Sequence, residues 1–519
     1  MVRGSDTGRN CDINNVKKEW FQTAEEYRKV NCMQTSVLLE KIKDKYVRFI
    51  EKGIQLERFF LVFAILFGIG YMIINTPNSV YDERIHYVSA YHYSDVLLFQ
   101  GFSMEDGSYR MRSEDAELLQ YSDYNGTETI RQVADNFHVF QQSDETIELT
   151  YGLAGNFWQY VPQTIGITIG RLLHLGAIPT YYLGRILNLA FYILLVIFAI
   201  RLMPFGKTVM TLVALLPICI QQAASYNYDS SLFGLGFLFL AFLFDLIYTD
   251  RKITRKYTLF FGIVTWLFAA QKMGIYVVLC VLLFFIPKDK FKNTKFWFGY
   301  ILLIGGIYVL SVLLNDLGFY FFFPKDGTES MNGAEPVVTY AIRDVLGDPL
   351  GFLKIIGNSI AEKWEYYIFS LFGNYLASYW LKIPDSYGVQ MILLLIIGVF
   401  AGGTTKERES IKSIKMGHRI WFLILFVVQW LIYWVFFFVN VTPVGEDVIW
   451  GVQGRYFVPV IVPVFLMGLS DKIHFKRNHD RAICTLYACV LMIIFSLAVL
   501  TVIQEGDAVR RMMEVMKMG

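Results

Sequence analysis

Apolar residues recur along this chain in blocks about as long as a membrane-crossing helix. Such blocks lie at about 59–75, 181–200, 208–224, 231–249, 257–271, 275–287, 296–316, 385–402, 420–440, 456–470 and 482–503. A bilayer-spanning helix needs roughly 20 mostly apolar residues. The pattern predicts an all-α integral membrane protein, a polytopic bundle of about 11 transmembrane helices (11–13). The blocks at 257–271, 275–287 and 456–470 are short, and they predict extended flanks or a tight helical hairpin.

The polar intervals orient the bundle. Basic residues concentrate in five short loops: Arg201 with Lys207, 250–256, 288–295, 403–419 and 471–481. The positive-inside rule puts all five on the cytoplasmic side. The first long loop, 76–156, has the opposite character, with four Arg, no Lys and fourteen Asp or Glu, and is expected outside. The alternation works only if 157–175 does not cross, so this segment, with Gly166, Gly170 and Arg171, is read as interfacial or re-entrant. The expected organisation is a cytoplasmic polar helical extension (1–56), a membrane domain (57–505) whose loop 76–180 carries interfacial helices, and a short tail (506–519). No apolar stretch follows the first basic residues, so 59–75 is expected to act as a signal anchor with the N-terminus inside.

Composition narrows the function classes. Of the 519 residues, 55% are hydrophobic and only 18% charged, with a net charge of +2. That balance excludes a disordered chain, a disulfide scaffold and a basic nucleic-acid-binding surface. None of the six cysteines falls in an expected outer loop, and Cys484 and Cys489 lack metal-ligand spacing. No phosphate-binding glycine loop of the ATPase type is present. Asn125-Gly126-Thr127 matches a glycosylation sequon, a pattern too common to identify the host.

Candidate chemistry gathers at the expected outer mouths of the spans. After Pro77, the chain reads Tyr81-Asp82-Glu83-Arg84-Ile85-His86, placing two acids and a histidine beside the first span. On a helix, Asp82 and Glu83 would sit i,i+4 and i,i+3 to His86. The pair suits a general base at headgroup level, or alternatively a simple helix cap. Arg455, in Gln453-Gly454-Arg455-Tyr456, stands at the mouth of 456–470, where its fork suits a phosphate, or it snorkels to the headgroups or pairs with Glu446 or Asp447. Lys272 is the sole basic residue between two short blocks, and Asp229 ends Tyr226-Asn227-Tyr228-Asp229.

Taken in order, four motifs resemble a bacterial polytopic family catalogued as domain of unknown function 2142. They are Pro77 with Asp82, Glu83 and His86; Tyr160 to Pro162 with Arg171 and Gly184 to Asn188; Leu216-Pro217 with Ser225 to Asp229; and Gln453 to Tyr456 with Pro459 and Pro463. The resemblance covers roughly 59–500, with Ser79-Val80-Tyr81 where the family pattern has Pro directly before the acids. That family is in turn similar to the GT-C glycosyltransferases, which use polyprenyl-phosphate sugars.

The resemblance implies a GT-C-like fold in a bacterial cytoplasmic membrane, with the active face outside. It also implies an inverting transfer of sugar from a polyprenyl-phosphate-linked donor to a cell-envelope glycan or lipid acceptor. Asp82 is the expected base and Glu83 its alternative. Arg455, Lys272, His86, Arg171, Tyr456 and Asp229 are the expected substrate-binding residues. The bilayer, the donor and the acceptor are the expected partners, without nucleic acid. No cofactor is certain; a divalent cation is the one the chemistry allows, and two adjacent acids are few ligands for it. A transporter or flippase of lipid-linked sugars and a non-catalytic envelope scaffold are the alternatives.

Overall fold

The computed structural model describes residues 54–100, 109–121, 126–150, 153–322, 338–377, 380–401, 404–412, 414–470, 472–475 and 478–508, with Glu40, Lys41, Lys45 and Met512. Nearly all of the expected extension 1–56, Asn125 of the sequon and most of the tail 506–519 lie outside these residues.

The chain is an all-α membrane bundle with almost no sheet. Its main helices are α1 (Leu56–Ile74), α2 (Glu83–Leu97), α3 (Phe157–Leu172), α4 (Ala177–Leu202), α5 (Lys207–Ala214), α6 (Pro217–Ala223) and α7 (Asp229–Tyr248). They continue as α8 (Arg255–Ala269), α9 (Thr294–Phe322), α10 (Pro349–Phe372), α11 (Asp385–Val399), α12 (Met416–Asn440), α13 (Val458–Leu466) and α14 (Asp480–Gln504). Among the described residues six helices are long and apolar enough to cross a membrane: α1, α4, α7, α9 over Thr294–Asn315, α12 and α14.

The remaining apolar runs fold less regularly than their length implies. The run at 208–224 is two helices, α5 and α6, because Pro217 has no amide hydrogen to continue the ladder and instead starts α6. The run at 257–271 gives the 15-residue α8, and 275–287 gives a 3₁₀ segment, Val277–Phe285. The 456–470 run begins as a 3₁₀ turn, Gly454–Phe457, before α13. These short pieces are tolerated at membrane depth where neighbouring protein supplies polar partners.

Helix α7 is the axis. From Leu232 to Phe244 its sequence is apolar on every face, and the helix is buried along its whole length, as expected for a helix surrounded by others. Helix α3 packs against α4 by close backbone approach: a Cβ on Gly166 would lie 2.6 Å from the Gly184 Cα.

Tertiary contacts sort the loops to two ends. At one end the five basic loops meet. Tyr248 OH hydrogen-bonds His418 Nδ1 at 2.8 Å, Thr208 Oγ1 donates to Asp480 Oδ1 at 2.6 Å, and the His479 amide donates to the Ala401 carbonyl at 2.9 Å. At the other end lie the residues after α1, the starts of α2, α3 and α7, and the Gly454–Phe457 turn. The chain after α14 also arrives there, where the Glu128 amide donates to Asp507 Oδ1 at 3.1 Å. A small antiparallel pair, β1 (Tyr109–Arg112) with β2 (Thr146–Leu149), stiffens the loop between α2 and α3.

Candidate functional site

Pro77 closes the first helix, and the chain turns sharply between α1 and α2. Asn78 and Asp82 both adopt left-handed backbone, with φ of 65° and 59°. Asn and Asp are the non-glycine residues that best tolerate this region. Helix α2 starts at Glu83, so Asp82 is its flanking residue rather than a first-turn residue, and its side chain makes no capping hydrogen bond. The capping alternative therefore does not describe this carboxylate.

The neighbouring acid has the opposite fate. Glu83 is fully buried and grips Arg185 of α4 with both oxygens, Oε1 to Nε at 2.9 Å and Oε2 to Nη2 at 2.7 Å. Its Oε1 also accepts from the Tyr226 amide at 3.0 Å. Arg185 donates further to the carbonyls of Asn75 at 2.5 Å and Thr76 at 3.0 Å. One guanidinium thus satisfies the carbonyls left open at the end of α1 and locks α1, α2, α4 and the α6–α7 link together. Glu83 has no free lone pair aimed at a substrate. The sequence reading carried Arg185 only within the Gly184 to Asn188 motif and gave it no role, although a charge inside the apolar run 181–200 was itself a signal.

Around Asp82 a second group of charges assembles from distant parts of the chain. Lys272 Nζ lies 2.8 Å from Asp229 Oδ1, and Arg455 Nε lies 3.1 Å from Asp229 Oδ2. Lys272 reaches inward from the tip of the α8 hairpin, where Lys272, Met273 and Gly274 take φ of 42°, 54° and 66°. Its ammonium sits 3.9 Å from the Tyr456 ring centroid. The Arg455 guanidinium lies 5.7 Å from the Tyr81 ring and 5.6 Å from the Tyr456 ring. Asp82, next to Tyr81, feels both cations and Asp229 electrostatically. Its own side chain stays accessible to solvent.

The electrostatics follow from this crowding. Desolvation by the surrounding protein, opposed by Arg455 and Lys272 and reinforced by the Asp229 charge, pushes the Asp82 carboxyl up to about 6 although the residue keeps solvent contact. Burial brings Lys272 down to about 8, with Asp229 pulling the other way. His86 is held near 3 by burial, so its ring is neutral. Its Nδ1 is 2.7 Å from Tyr160 OH, and its ring meets Tyr228 edge-on at 5.0 Å.

Beside Lys272 lies a cavity of about 280 Å³, lined by Asn156, Gln159, Tyr228, Tyr433, Phe437 and Tyr456 among others. Its aromatic wall is held by hydrogen bonds: Tyr433 OH donates to Tyr276 OH at 2.8 Å, and Tyr276 OH donates to the Tyr456 carbonyl at 2.7 Å.

Of the residues singled out from the sequence, Asp82, His86, Asp229, Lys272, Arg455 and Tyr456 come together. Arg171 does not join them. It pairs with Asp95 at 2.7 Å, donates to Ser94 Oγ at 3.1 Å and lies over the Tyr91 ring at 4.4 Å, fastening α3 to α2. Among the described residues no group of three or more His, Cys, Asp or Glu side chains is arranged to hold a metal ion. The three acids here, Asp82, Glu83 and Asp229, do not make a cation cradle either, because Glu83 is held by Arg185 and Asp229 by two cations.

The family profile described as "Predicted membrane protein (DUF2142)" matches residues 65–464, which contain every member of the cluster. The chain belongs to this family. No curated protein and no solved structure matches it. Within this DUF2142 chain the motifs noted in the sequence converge in space: the acids after α1, Arg185 in α4, Asp229 opening α7 and Arg455 before α13 all meet at one end of the bundle.

Proposed function

We propose that the chain is a membrane glycosyltransferase of the inverting kind. It would move a sugar from a polyprenyl-phosphate-linked donor to a hydroxyl of a cell-envelope glycan or lipid, at the outer face of a bacterial cytoplasmic membrane. The observation that supports this most directly is the convergence of Lys272 and Arg455 on Asp229, beside an accessible Asp82 and an aromatic-walled cavity.

Each part has a role in such a reaction. The donor phosphate would displace the Asp229 carboxylate as partner of the two cations. Asp229 meanwhile keeps the cations paired when no donor is bound, avoiding uncompensated buried charge. Asp82 takes the proton of the acceptor hydroxyl as its oxygen bonds to the anomeric carbon. The bond from that carbon to the phosphate oxygen breaks, and the lipid phosphate leaves with the electron pair. Negative charge grows on that oxygen, so cations fixed there lower the barrier more than they strengthen ground-state binding. Tyr228, Tyr433, Phe437 and Tyr456 give the lipid-proximal part of the donor an apolar wall.

The test is turnover of polyprenyl-phosphate sugars by the purified protein in lipid nanodiscs, read as release of polyprenyl phosphate. Sugar transfer by the native protein and its loss in Asp82→Asn support the reading. Movement of the intact donor across vesicles without bond cleavage would establish a transporter instead. Full activity in Asp82→Asn would remove Asp82 as the base.

A further inference from the structure

The loop between α2 and α3 contains a larger cavity that the proposed mechanism does not use. It has a volume of about 820 Å³ and is lined by the carboxylates of Glu114, Glu117 and Glu145, by the amides of Gln120, Gln132, Asn136 and Gln142, and by Ser113, Ser143, His138 and Tyr121. Specific small-molecule sites typically fall between about 300 and 1,000 Å³. Its lining disfavours two ligand classes. No lysine or arginine lines it, which disfavours phosphates and other anions. Its apolar lining is limited to Leu118, Ala177 and Ile178, which is too little to hold a lipid chain. What remains is a polar surface of four primary amides and two serine hydroxyls, each both donor and acceptor, with His138 and three carboxylates that accept. That combination matches a ligand carrying many hydroxyl groups.

The frame around this cleft is rigid. Arg112 pairs with Asp115 at 2.5 Å and donates to Gln141 Oε1 at 2.9 Å and to the Leu175 carbonyl at 3.0 Å, tying β1 to the segment leading into α4. The Ser113 amide donates to the Glu145 carbonyl at 2.9 Å, joining the two walls. The cleft is also coupled to the turn that carries Asp82. Asn78 Nδ2 donates to the Leu118 carbonyl at 2.5 Å, and Arg84 Nη2 donates to the Tyr121 carbonyl at 3.1 Å. Residues on both sides of Asp82 are therefore fastened to the cleft wall.

We infer that this cleft binds the glycan portion of the acceptor, a neutral hydroxyl-rich saccharide. Its site is separate from the cations that face the donor phosphate. This rests on the transferase reading for the word acceptor, but saccharide binding itself does not. Amide-to-hydroxyl hydrogen bonds supply orientation, and Tyr121 lines one side of the cleft. The fastening through Asn78 and Arg84 would hold the bound glycan in fixed register with the Asp82 carboxylate.

The experiment uses the full chain in lipid nanodiscs and saturation-transfer NMR. The probes are neutral hexose and N-acetylhexosamine tetrasaccharides, with a sulfated tetrasaccharide as anionic control. The native protein is expected to bind at least one neutral probe. Filling the cleft with Gln120→Trp, or stripping it with Gln132→Ala plus Gln142→Ala, should weaken binding by about tenfold or more. Asp82→Asn should leave it unchanged. Loss of turnover in Asp82→Asn with unaltered saccharide binding separates this site from the catalytic one. The proposal is overturned if no neutral probe binds, if the sulfated probe binds better, or if the cleft variants bind like the native protein.

Discussion

Neutralising the two adjacent acids one at a time should give opposite phenotypes, because the fold has assigned them different work. Glu83 and Arg185 form a bidentate pair at 2.9 and 2.7 Å with both side chains fully buried. Glu83→Gln keeps the volume but leaves the guanidinium without its counter-charge, facing a neutral amide, the Asn75 and Thr76 carbonyls and the Tyr181 and Tyr182 rings. Breaking one side of a buried pair costs about 3–5 kcal/mol. The variant should therefore show a lower unfolding temperature in detergent and poor recovery of monodisperse protein. Asp82→Asn removes an accessible charge that caps nothing, so its unfolding temperature should stay close to native. Turnover should instead fall by about 10²–10⁴-fold, the usual contribution of a positioned base. Scanning fluorimetry on both variants, with single-turnover sugar release for the one that folds, decides the matter. A stable Glu83→Gln that loses turnover, alongside an active Asp82→Asn, would refute the assignment.

The pH profile of transfer should be bell-shaped. A base must be ionised to act, so the rate should drop about tenfold per pH unit below the raised Asp82 value of about 6. It should fall again above about 8, where Lys272 loses its charge. Asp82→Asn should abolish the acid limb, as a pH series on the residual activity would reveal. Lys272→Met and Arg455→Met should each lower transfer by about 10²–10³-fold, in keeping with the loss of one oxyanion stabiliser; a change in donor KM alone would contradict this. Gly166→Val should push α3 off α4, since a Cβ there already meets Gly184 Cα at 2.6 Å. Overpacking of that kind costs about 1–3 kcal/mol and would appear as a lower unfolding temperature. Gly454→Ala should disturb the Arg455 turn, because its Cβ would collide with the Tyr367 carbonyl; reduced turnover with intact folding would report it.

Much of the architecture was legible in the linear chain because membrane insertion imposes simple rules. Apolar length marks helices that cross, and basic residues mark one set of loops. The five loops so marked do gather at one end, through contacts such as Tyr248 with His418 and Thr208 with Asp480. Local sequence also located Pro77, Asp82, Lys272 and Arg455 at helix mouths. It did not tell Asp82 from Glu83, nor Arg171 from Arg455, since each pair has like chemistry and a similar position at the end of an apolar run.

The sequence by itself determined that this is a helical membrane protein with polar chemistry concentrated at one rim. The hydrophobic effect and the cost of unpaired backbone in lipid act on local composition, so local composition reveals them. Only the tertiary structure decided which charges belong together. It turned Glu83 into a strut by bringing Arg185 from a hundred residues away, sent Arg171 to Asp95, and set Lys272 and Arg455 on the two oxygens of Asp229. Ion pairing acts over a few ångströms in space without regard to separation along the chain, and so it is settled only when the helices have packed.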